Sequence, residues 1–183
     1  MMRLFDKTAV RRIMRERRKS LSPSDKVAYD SAICKKLIAA TQGRSPVAVY
    51  LASSDEVDVG SYIASLLDKG AEVLSPRWNG ATYDLAKIKG LDEGNLRRGP
   101  MGILEPVDAE LVPPEDVALW VVPGLAFTAD GQRLGYGGGW YDRLMAGASP
   151  SAPRIGVAYS FQIVDSLPVE PHDAKLTEVL DET

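Results

Sequence analysis

The sequence predicts an α/β sandwich with a mainly parallel sheet, and two patterns indicate this fold class. Short apolar runs alternate along the chain with longer amphipathic segments of helical period, as they do where crossover helices join strands. Proline, glycine and polar turn residues separate these segments. The chain has 183 residues, of which 45% are hydrophobic, and this is enough for an ordinary core. We therefore expect a single domain spanning residues 1–183.

Four helices are expected, at residues 6–19, 23–40, 59–69 and 141–145. The first forms an N-terminal helical arm in front of the first strand. Ser22 is an N-cap residue and Pro23 occupies the first helical position, which marks the start of the second helix. Gly70 follows the third helix and is expected to end it.

The predicted strands are residues 47–51, 71–75, 82–88, 117–122 and 154–158, and the tail after Lys175 could add a short one. Pro76 is expected to stop the second strand, and residues 100–106 are expected to form an irregular loop. In open parallel sheets, ligands bind beyond the carboxyl ends of the strands. We therefore expect the chemistry in the loops that follow residues 51, 75, 122 and 158.

The composition excludes several classes of function. The formal net charge is −3, so the whole chain is not a nucleic-acid binder by bulk electrostatics. Cys34 is the one cysteine, which rules out an internal disulfide and indicates a reducing compartment. His172 is the one histidine, which rules out a metal site of several histidines. No apolar run approaches the roughly 20 residues of a membrane span and no signal peptide is recognisable, so we expect a cytoplasmic protein.

The N-terminal segment is basic, with eight Lys or Arg residues against two acidic residues from Met1 to Lys19. Three interpretations compete: a transit peptide, a solvated helix face, and an arm folded over an anionic ligand. A transit peptide would be rich in serine and would not run on into a capped second helix. A set of four basic residues recurs at helical spacing on one face: Lys7, Arg11, Arg15 and Arg18. Like charges at that spacing repel unless an anion neutralises them, which favours the ligand-covering arm.

Five of the nine residues from Gly131 to Gly139 are glycine, directly after the predicted central strand. Glycine costs backbone entropy, so this loop predicts a ligand that lies against the backbone. Converging N–H groups and the start of a helix would together form a site for an anion, most simply a phosphate. A flexible surface loop is the alternative. The loop is not a Walker A motif, because no Lys-Ser or Lys-Thr follows it, and Trp140 stands at the third glycine position of a dinucleotide fingerprint.

Charged residues at the rim of this loop have two interpretations each. Asp142 could bind Mg²⁺, which prefers one or two carboxylates together with phosphate oxygens, or could stabilise the helix N-terminus. Arg133 and Arg143 could clamp phosphate oxygens or pair with surface acids. In the segment SSDEVDV, helix capping suits Asp58 and Asp55 and leaves Glu56 free to bind a polar substrate.

Four aromatic residues are expected near the same edge of the sheet: Trp78, Tyr83, Trp140 and Tyr141. They could stack on a flat heterocycle, or they could pack in the core. Met101 and Ile103 could line an apolar slot or pin their own loop.

The segment VPGLAFTADGQRLGYGGGWYDR resembles the signature of the 5-formyltetrahydrofolate cyclo-ligase family, also called methenyltetrahydrofolate synthetases. Further blocks resemble the family in the same order: the arm with Lys7, Arg11, Arg18, Leu21 and Ser22, then YLASSDEVDV, LSPR, GPMGILEP and IGVAYSFQIVDSLPVEPHD. The resemblance covers the whole chain. It implies a three-layer α/β sandwich and an enzyme that uses ATP and Mg²⁺. The implied reaction converts 5-formyltetrahydrofolate to 5,10-methenyltetrahydrofolate through a phosphorylated formyl group, an imidate phosphate, and releases ADP and phosphate.

The resemblance also implies roles for particular residues. The nucleotide would contact Lys7, Thr8, Ala9, Val10 and Arg11 of the arm and Arg133, Leu134, Gly135, Tyr136, Gly137, Gly138, Gly139, Trp140 and Tyr141 of the loop. The folate would contact Leu51, Glu56, Gly135, Tyr136, Gly137, Gly138 and Gly139, with Glu56 at the pterin. Asp142 would bind the metal, and Arg133 and Asp142 would be the catalytic pair.

The sequence departs from the family pattern at several positions. Trp140 replaces the commoner Tyr, Val59 stands where Thr is usual, and Thr128 replaces an Asp. Thr177 falls where many members have an Asp that is a second metal ligand in some of them. We therefore expect Asp142 and waters to form the metal shell.

Two other functions are compatible with parts of the sequence. One is a non-catalytic folate- or nucleotide-binding relative, against which the intact Lys7, Glu56, Arg133 and Asp142 argue. The other is an RNA-binding module that uses the basic arm, but no RNP, KH or zinc pattern supports it. The expected partner is a small molecule, 5-formyltetrahydrofolate or its polyglutamylated forms. We expect a monomer that binds neither nucleic acid nor membranes.

Overall fold

The structure is a computed structural model that describes residues 6–107, 110–168, 170 and 173–183. His172 and the first five residues of the basic segment lie outside this range. The described helices are α1 (Lys7–Lys19), α2 (Pro23–Ala40), α3 (Gly60–Asp68) and α4 (Trp140–Met145). The described strands are β1 (Val47–Ala48), β2 (Val73–Trp78), β3 (Tyr83–Ile88), β4 (Leu96–Arg98), β5 (Leu104–Pro106), β6 (Leu119–Val122), β7 (Ala126–Phe127), β8 (Arg133–Leu134), β9 (Arg154–Val157) and β10 (Glu178–Leu180).

The central sheet confirms the predicted fold class. Six of these strands pair in the order β10-β9-β6-β1-β2-β3, and only β2 and β3 are antiparallel neighbours. Alternate residues of β6 enter two different apolar cores. Leu119 and Val121 pack with side chains of α2 and α3, whereas Trp120 and Val122 pack with Leu144 of α4. The sheet is therefore covered on both faces, which gives the three layers.

The helix boundaries follow the local capping signals. The Asp6 carboxylate accepts the Thr8 N–H at 2.9 Å at the start of α1, and the Ser22 hydroxyl accepts the Asp25 N–H at 3.1 Å at the start of α2. Val59, at the N-cap of α3, provides no side-chain cap. Each capping bond satisfies a backbone N–H that has no partner within its helix.

Two predictions about strands were wrong. Pro76 does not stop β2, which continues through it to Trp78. The Leu85 carbonyl accepts a hydrogen bond from Val112 on the far side of β3, so Pro76 and Leu85 form a non-hydrogen-bonded pair. The ring nitrogen of Pro76 then faces the side of β1, where Val49 N–H still donates to the Leu74 carbonyl, so the proline ends the pairing with β1 while β2 continues along β3.

The segment predicted as an irregular loop is also partly ordered. Its last residues form β5, which pairs with the unpredicted strand β4 in an antiparallel hairpin. A second unpredicted hairpin, β7–β8, follows β6, and its second strand takes up Arg133 and Leu134 of the predicted loop, so Gly135–Gly139 remain as the glycine loop. Val10 and Met14 of α1 pack against this hairpin through Leu125, Ala126 and Leu134. The arm is therefore anchored beside the glycine loop.

Within the described ranges, no helix combines the length and the apolar character that crossing a bilayer requires.

Candidate functional site

A cavity of about 350 Å³ lies where the predicted chemistry was expected, beyond the carboxyl ends of the parallel strands. Leu51 and Glu56 line it from the loop after β1, and Pro123 lines it from the end of β6. Tyr136 of the glycine loop completes this wall. The structure therefore brings together residues that lie far apart in the sequence.

Glu56 places a carboxylate in the wall of this cavity. Glu56 is only 8% exposed, and its Oε2 accepts the Ser53 N–H at 2.7 Å. Its Oε1 accepts the hydroxyl of Tyr136. Capping does not use Glu56, because Asp58 accepts the N–H of Gly60 at the start of α3. The expected capping role of Asp55 was wrong, since that carboxylate instead accepts from the Arg18 guanidinium at 2.8 Å.

Tyr136 joins three parts of the site. Arg18 donates to the Tyr136 hydroxyl at 2.7 Å, and the hydroxyl donates to Glu56. The Tyr136 residue is 38% exposed, but its hydroxyl is enclosed between these two charged groups. Burial raises the pKa of Tyr136, and the Glu56 carboxylate raises it further. The phenol therefore stays protonated and remains a hydrogen-bond donor to Glu56.

The glycine loop lies under α1. Arg11 donates to the Gly135 carbonyl at 2.9 Å, and Arg143 donates to the Gly138 carbonyl at 2.6 Å. Gly137 has a φ of 110° and Gly139, the N-cap of α4, has a φ of 64°, values that side chains rarely adopt. A Cβ at Gly137 would lie 3.6 Å from the Arg11 guanidinium carbon. The space above this residue is thus bounded by a cation, as an anion site requires.

A buried hydroxyl without a partner lies beside the loop. The Tyr141 hydroxyl makes no hydrogen bond with any residue that the structure describes, and Tyr141 also lines the cavity. Burial raises its pKa well above the ordinary value for tyrosine. An unsatisfied buried hydroxyl is costly, so this group is a suitable contact for a ligand atom.

The buried Arg133 and the half-buried Asp142 form an ion pair behind the loop. Arg133 donates to Asp142 Oδ1 at 2.8 Å and to the Pro123 carbonyl at 3.2 Å. The Ala174 N–H also donates to Oδ1, at 3.2 Å. The other oxygen, Oδ2, accepts no hydrogen bond from the described residues and is available to a cation. Within the described ranges neither Arg133 nor Arg143 pairs with an exposed acid: Arg133 pairs with Asp142, and the Arg143 guanidinium lies 4.1 Å from the centroid of the Trp140 ring.

The side chains near the glycine loop fit Mg²⁺ only if phosphate oxygens and waters supply most of its ligands. The described residues include no group of three or more His, Cys, Asp or Glu side chains that could hold a metal. Mg²⁺ is commonly bound by one carboxylate together with phosphate oxygens and waters, and Asp142 beside the glycine loop suits that arrangement. Thr177 takes no part, since its hydroxyl accepts the Arg154 N–H at 3.0 Å at the amino end of β9, the edge opposite the cavity.

The arm residues are divided between binding and packing positions. Lys7 donates to Glu170 at 2.8 Å and lies 3.4 Å from Asp173, and the hydrogen bond to Glu170 is the main cause of its raised pKa. Thr8 is exposed and Ala9 is half-buried. Val10 is fully buried against the β7–β8 hairpin, so its side chain holds the arm in place.

Three of the four predicted aromatic residues contact one another edge to face, with ring centroids 5.2–5.5 Å apart: Trp78, Tyr83 and Trp140. Tyr83 and Trp140 also line the cavity. Packing and ligand contact are therefore compatible at these two positions.

The sequence prediction missed Glu105 as a cavity residue. This glutamate is 3% exposed, and its oxygens accept the Trp78 N–H and the Arg97 Nε–H at 3.0 Å each. It lines the cavity together with Met101 and Ile103 of the β4–β5 hairpin. The signal was its position as the one acidic residue in GPMGILEP. Arg15 of α1 also lines the cavity, although the sequence pattern marked it only as part of a basic face.

Comparison with known proteins gives one consistent result. Residues 4–182 match the sequence model of the 5-formyltetrahydrofolate cyclo-ligase family. A protein of Mycolicibacterium smegmatis with the name 5-formyltetrahydrofolate cyclo-ligase is 36% identical over 144 residues, covering 73% of this chain and 72% of that protein.

Two solved structures are similar along almost the whole chain. The structure of Aquifex aeolicus 5,10-methenyltetrahydrofolate synthetase has a TM-score of 0.82 at 32% identity, covering 94% of this chain and 88% of that chain. A 5,10-methenyltetrahydrofolate synthetase of Mycoplasma pneumoniae has a TM-score of 0.79 at 26% identity, covering 98% of this chain and 100% of that chain.

Proposed function

The chain belongs to the 5-formyltetrahydrofolate cyclo-ligase family of enzymes, and from that premise we propose how its cavity and glycine loop work together. The cavity binds 5-formyltetrahydrofolate and the glycine loop binds ATP with Mg²⁺. The reaction forms 5,10-methenyltetrahydrofolate and releases ADP and phosphate. We place this reaction in the cytoplasm.

The observation that carries the proposal is the contact between Tyr136 and Glu56. Tyr136 belongs to the glycine loop, and Glu56 lines the cavity at the end of β1. A reduced pterin presents several N–H donors, which a buried carboxylate can accept. A folate held at Glu56 would therefore have its formyl group close to phosphates held at the glycine loop, as phosphoryl transfer requires.

The reaction divides into two balanced steps. The formyl oxygen attacks the γ-phosphorus of ATP, the bond from phosphorus to the bridging oxygen breaks, and ADP leaves with that electron pair. The N5 lone pair supplies electrons to the formyl carbon, which gives an imidate phosphate. N10 then attacks this carbon, the carbon–oxygen bond breaks with release of phosphate, and the departing phosphate takes up the N10 proton. The product carries its positive charge over N5, the new carbon and N10.

The protein's own groups mainly position and neutralise charge. Lys7 and Arg11 cover the phosphates from α1, and the backbone N–H groups of Gly135–Gly139 cradle them from below. The Tyr141 hydroxyl donates to a ligand oxygen, which satisfies a group that otherwise has no partner. Arg133 orients Asp142 through their ion pair.

Asp142 would hold Mg²⁺ through Oδ2, and the ion would supply positive charge to neutralise the β- and γ-phosphates. We assign no other metal ligand to the described residues.

The test is whether ADP release depends on the folate. We expect the purified protein to release ADP only when 5-formyltetrahydrofolate, ATP and Mg²⁺ are all present. Binding of the folate without ADP release would identify a non-catalytic relative, and ADP release without folate would identify an unrelated ATPase.

A further inference from the structure

We propose that Arg15 binds a carboxylate of the glutamate tail of the substrate and thereby fixes the direction in which the folate enters the cavity. This inference rests on the proposed function, because it assumes that the cavity takes a folate. It concerns a residue on α1 that lines the cavity rather than the glycine loop.

The basic residues on one face of α1 differ in their contacts. Lys7 pairs with Glu170, Arg11 binds the Gly135 carbonyl, and Arg18 is buried in its pair with Asp55. Arg15 lies on the same face, yet it makes no hydrogen bond or ion pair with any residue in the described part of the chain. Its guanidinium, which has several donors and no acceptor partner, is free to bind an anion.

The charges around the cavity also favour a carboxylate at Arg15. Arg15 is the one basic residue among the described residues that line it, whereas Glu56 and Glu105 are acidic and buried. Arg15 is exposed and therefore marks the rim. The cavity thus offers carboxylates inside and a guanidinium at its mouth. A reduced folate has the complementary arrangement, with N–H donors on the pterin and carboxylates on the tail.

A nucleotide phosphate is the competing anion. Residues four apart on a helix are separated by about 6 Å along its axis, so Arg15 is not far from Arg11. Only one of these two arginines, however, lines the cavity. Arg11 lies close to Gly137 over the glycine loop, and neither residue lines the cavity. Arg15, in contrast, lines the cavity together with Ser53 and Glu56. The geometry therefore favours the tail carboxylate.

The experiment measures binding and compares two ligands that differ only in the tail. Calorimetry in the absence of nucleotide gives a Kd for each ligand, the substrate 5-formyltetrahydrofolate and its analogue 5-formyltetrahydropteroate, which lacks the glutamate. Arg15→Gln is expected to weaken binding of the folate by about 10-fold, a value between those of exposed ion pairs and of charged hydrogen bonds, and to leave the pteroate unchanged. Arg12→Gln, on the outer face of the same helix, is the matched control and should change neither Kd.

Three results would overturn the proposal: equal weakening of both ligands, no weakening of either, or wild-type protein that binds neither. A rise in the Kd for ATP in place of the folate effect would assign Arg15 to the phosphates. ADP release tests the proposed catalytic function separately. If Arg15→Gln weakens only the folate but the wild-type protein releases no ADP, the role of Arg15 stands and the catalytic function does not.

Discussion

At the scale of single residues, Glu56 already has partners for both of its oxygens before any substrate binds. Ser53 donates to one and Tyr136 to the other. Each carboxylate oxygen has further lone pairs, so in the proposed complex the pterin would add its donors without displacing Ser53. These two bonds hold the carboxylate in one orientation, which reduces the entropy lost on binding.

Glu56→Gln is expected to separate folate binding from nucleotide binding. The variant replaces an acceptor oxygen with a donor, and a lost charged hydrogen bond costs about 1.5–3 kcal/mol. The KM for the folate substrate should therefore rise about 10- to 100-fold, while the KM for ATP hardly changes. Steady-state kinetics with each substrate varied in turn would measure both constants.

Glu182→Gln is the matched control for this variant. The Glu182 carboxylate also accepts one backbone N–H and one hydroxyl, both from Ser160, but it does not line the cavity. A rise in the KM for ATP with an unchanged folate KM in Glu56→Gln would place Glu56 in the nucleotide site.

Gly137→Ala should impair nucleotide binding beyond the cost of backbone strain. The added Cβ enters the space between Gly137 and Arg11, where phosphate oxygens are proposed to lie. Gly80→Ala is the matched control, because Gly80 has a φ of 105°, similar to the 110° of Gly137, and lies in the β2–β3 turn. Both variants should lose similar stability, of about 1 kcal/mol, in thermal unfolding. Only Gly137→Ala should raise the KM for ATP, and equal KM values in the two variants would contradict a phosphate cradle.

At the scale of elements, α1 spans the glycine loop, where we propose that the nucleotide binds, and the cavity, where we propose that the folate binds. Lys7 lies at one end of its inner face and Arg18, beside the loop of Glu56, lies at the other. Val10 and Met14 hold the helix on the β7–β8 hairpin. The buried side chains and the basic side chains belong to the same helix. The arm therefore cannot shift without moving both sets.

Lys7→Ala should weaken ATP binding much more than folate binding. The phosphates would lose their proposed contact with the Lys7 ammonium. An exposed charged contact of this kind changes affinity by about 10-fold. Lys87→Ala is the matched control, because Lys87 also pairs with two acids, Glu72 and Glu110, and its side chain is 22% exposed against 24% for Lys7. Nucleotide and folate Kd values from calorimetry would decide, and equal weakening of both ligands would count against an arm that covers the phosphates.

At the scale of the whole molecule, stability should depend on pH through the Arg18–Asp55 pair. Burial alone would raise the pKa of Asp55, but the Arg18 guanidinium outweighs burial, and the pKa lies below its ordinary value. A carboxylate with a lowered pKa in the folded state stabilises the fold above its unfolded pKa of about 4 and loses that contribution as the pH falls.

Asp55→Asn should therefore lower the Tm near pH 7, and this difference from the wild type should shrink as the pH falls below about 4. Asp68→Asn, an exposed carboxylate at the end of α3, serves as the control. Thermal unfolding across this pH range measures the effect, and a Tm difference that is constant with pH would show that the pair does not contribute in this way.

Features set by neighbouring residues in the sequence were predictable, and features set by distant contacts were not. The cap of α2, the parallel sheet and the edge expected to carry the site follow from local signals and from strand order. The continuation of β2 through Pro76 depends on its antiparallel pairing with β3, which no local pattern records. The burial of Arg18 and Glu105 depends on partners far along the chain, Asp55 in one case and Trp78 in the other.

Formation of the methenyl product by the wild-type protein tests directly whether the cavity and the glycine loop act as one site. The product is conjugated across N5 and N10 and absorbs at longer wavelength than 5-formyltetrahydrofolate, so its appearance can be followed in the spectrophotometer. We predict that absorbance rises only with ATP and Mg²⁺ present, and that one ADP is released for each methenyl group formed. Product formation at the same rate without ATP, or ADP release without product, would contradict the claim that the cavity and the glycine loop act as one site.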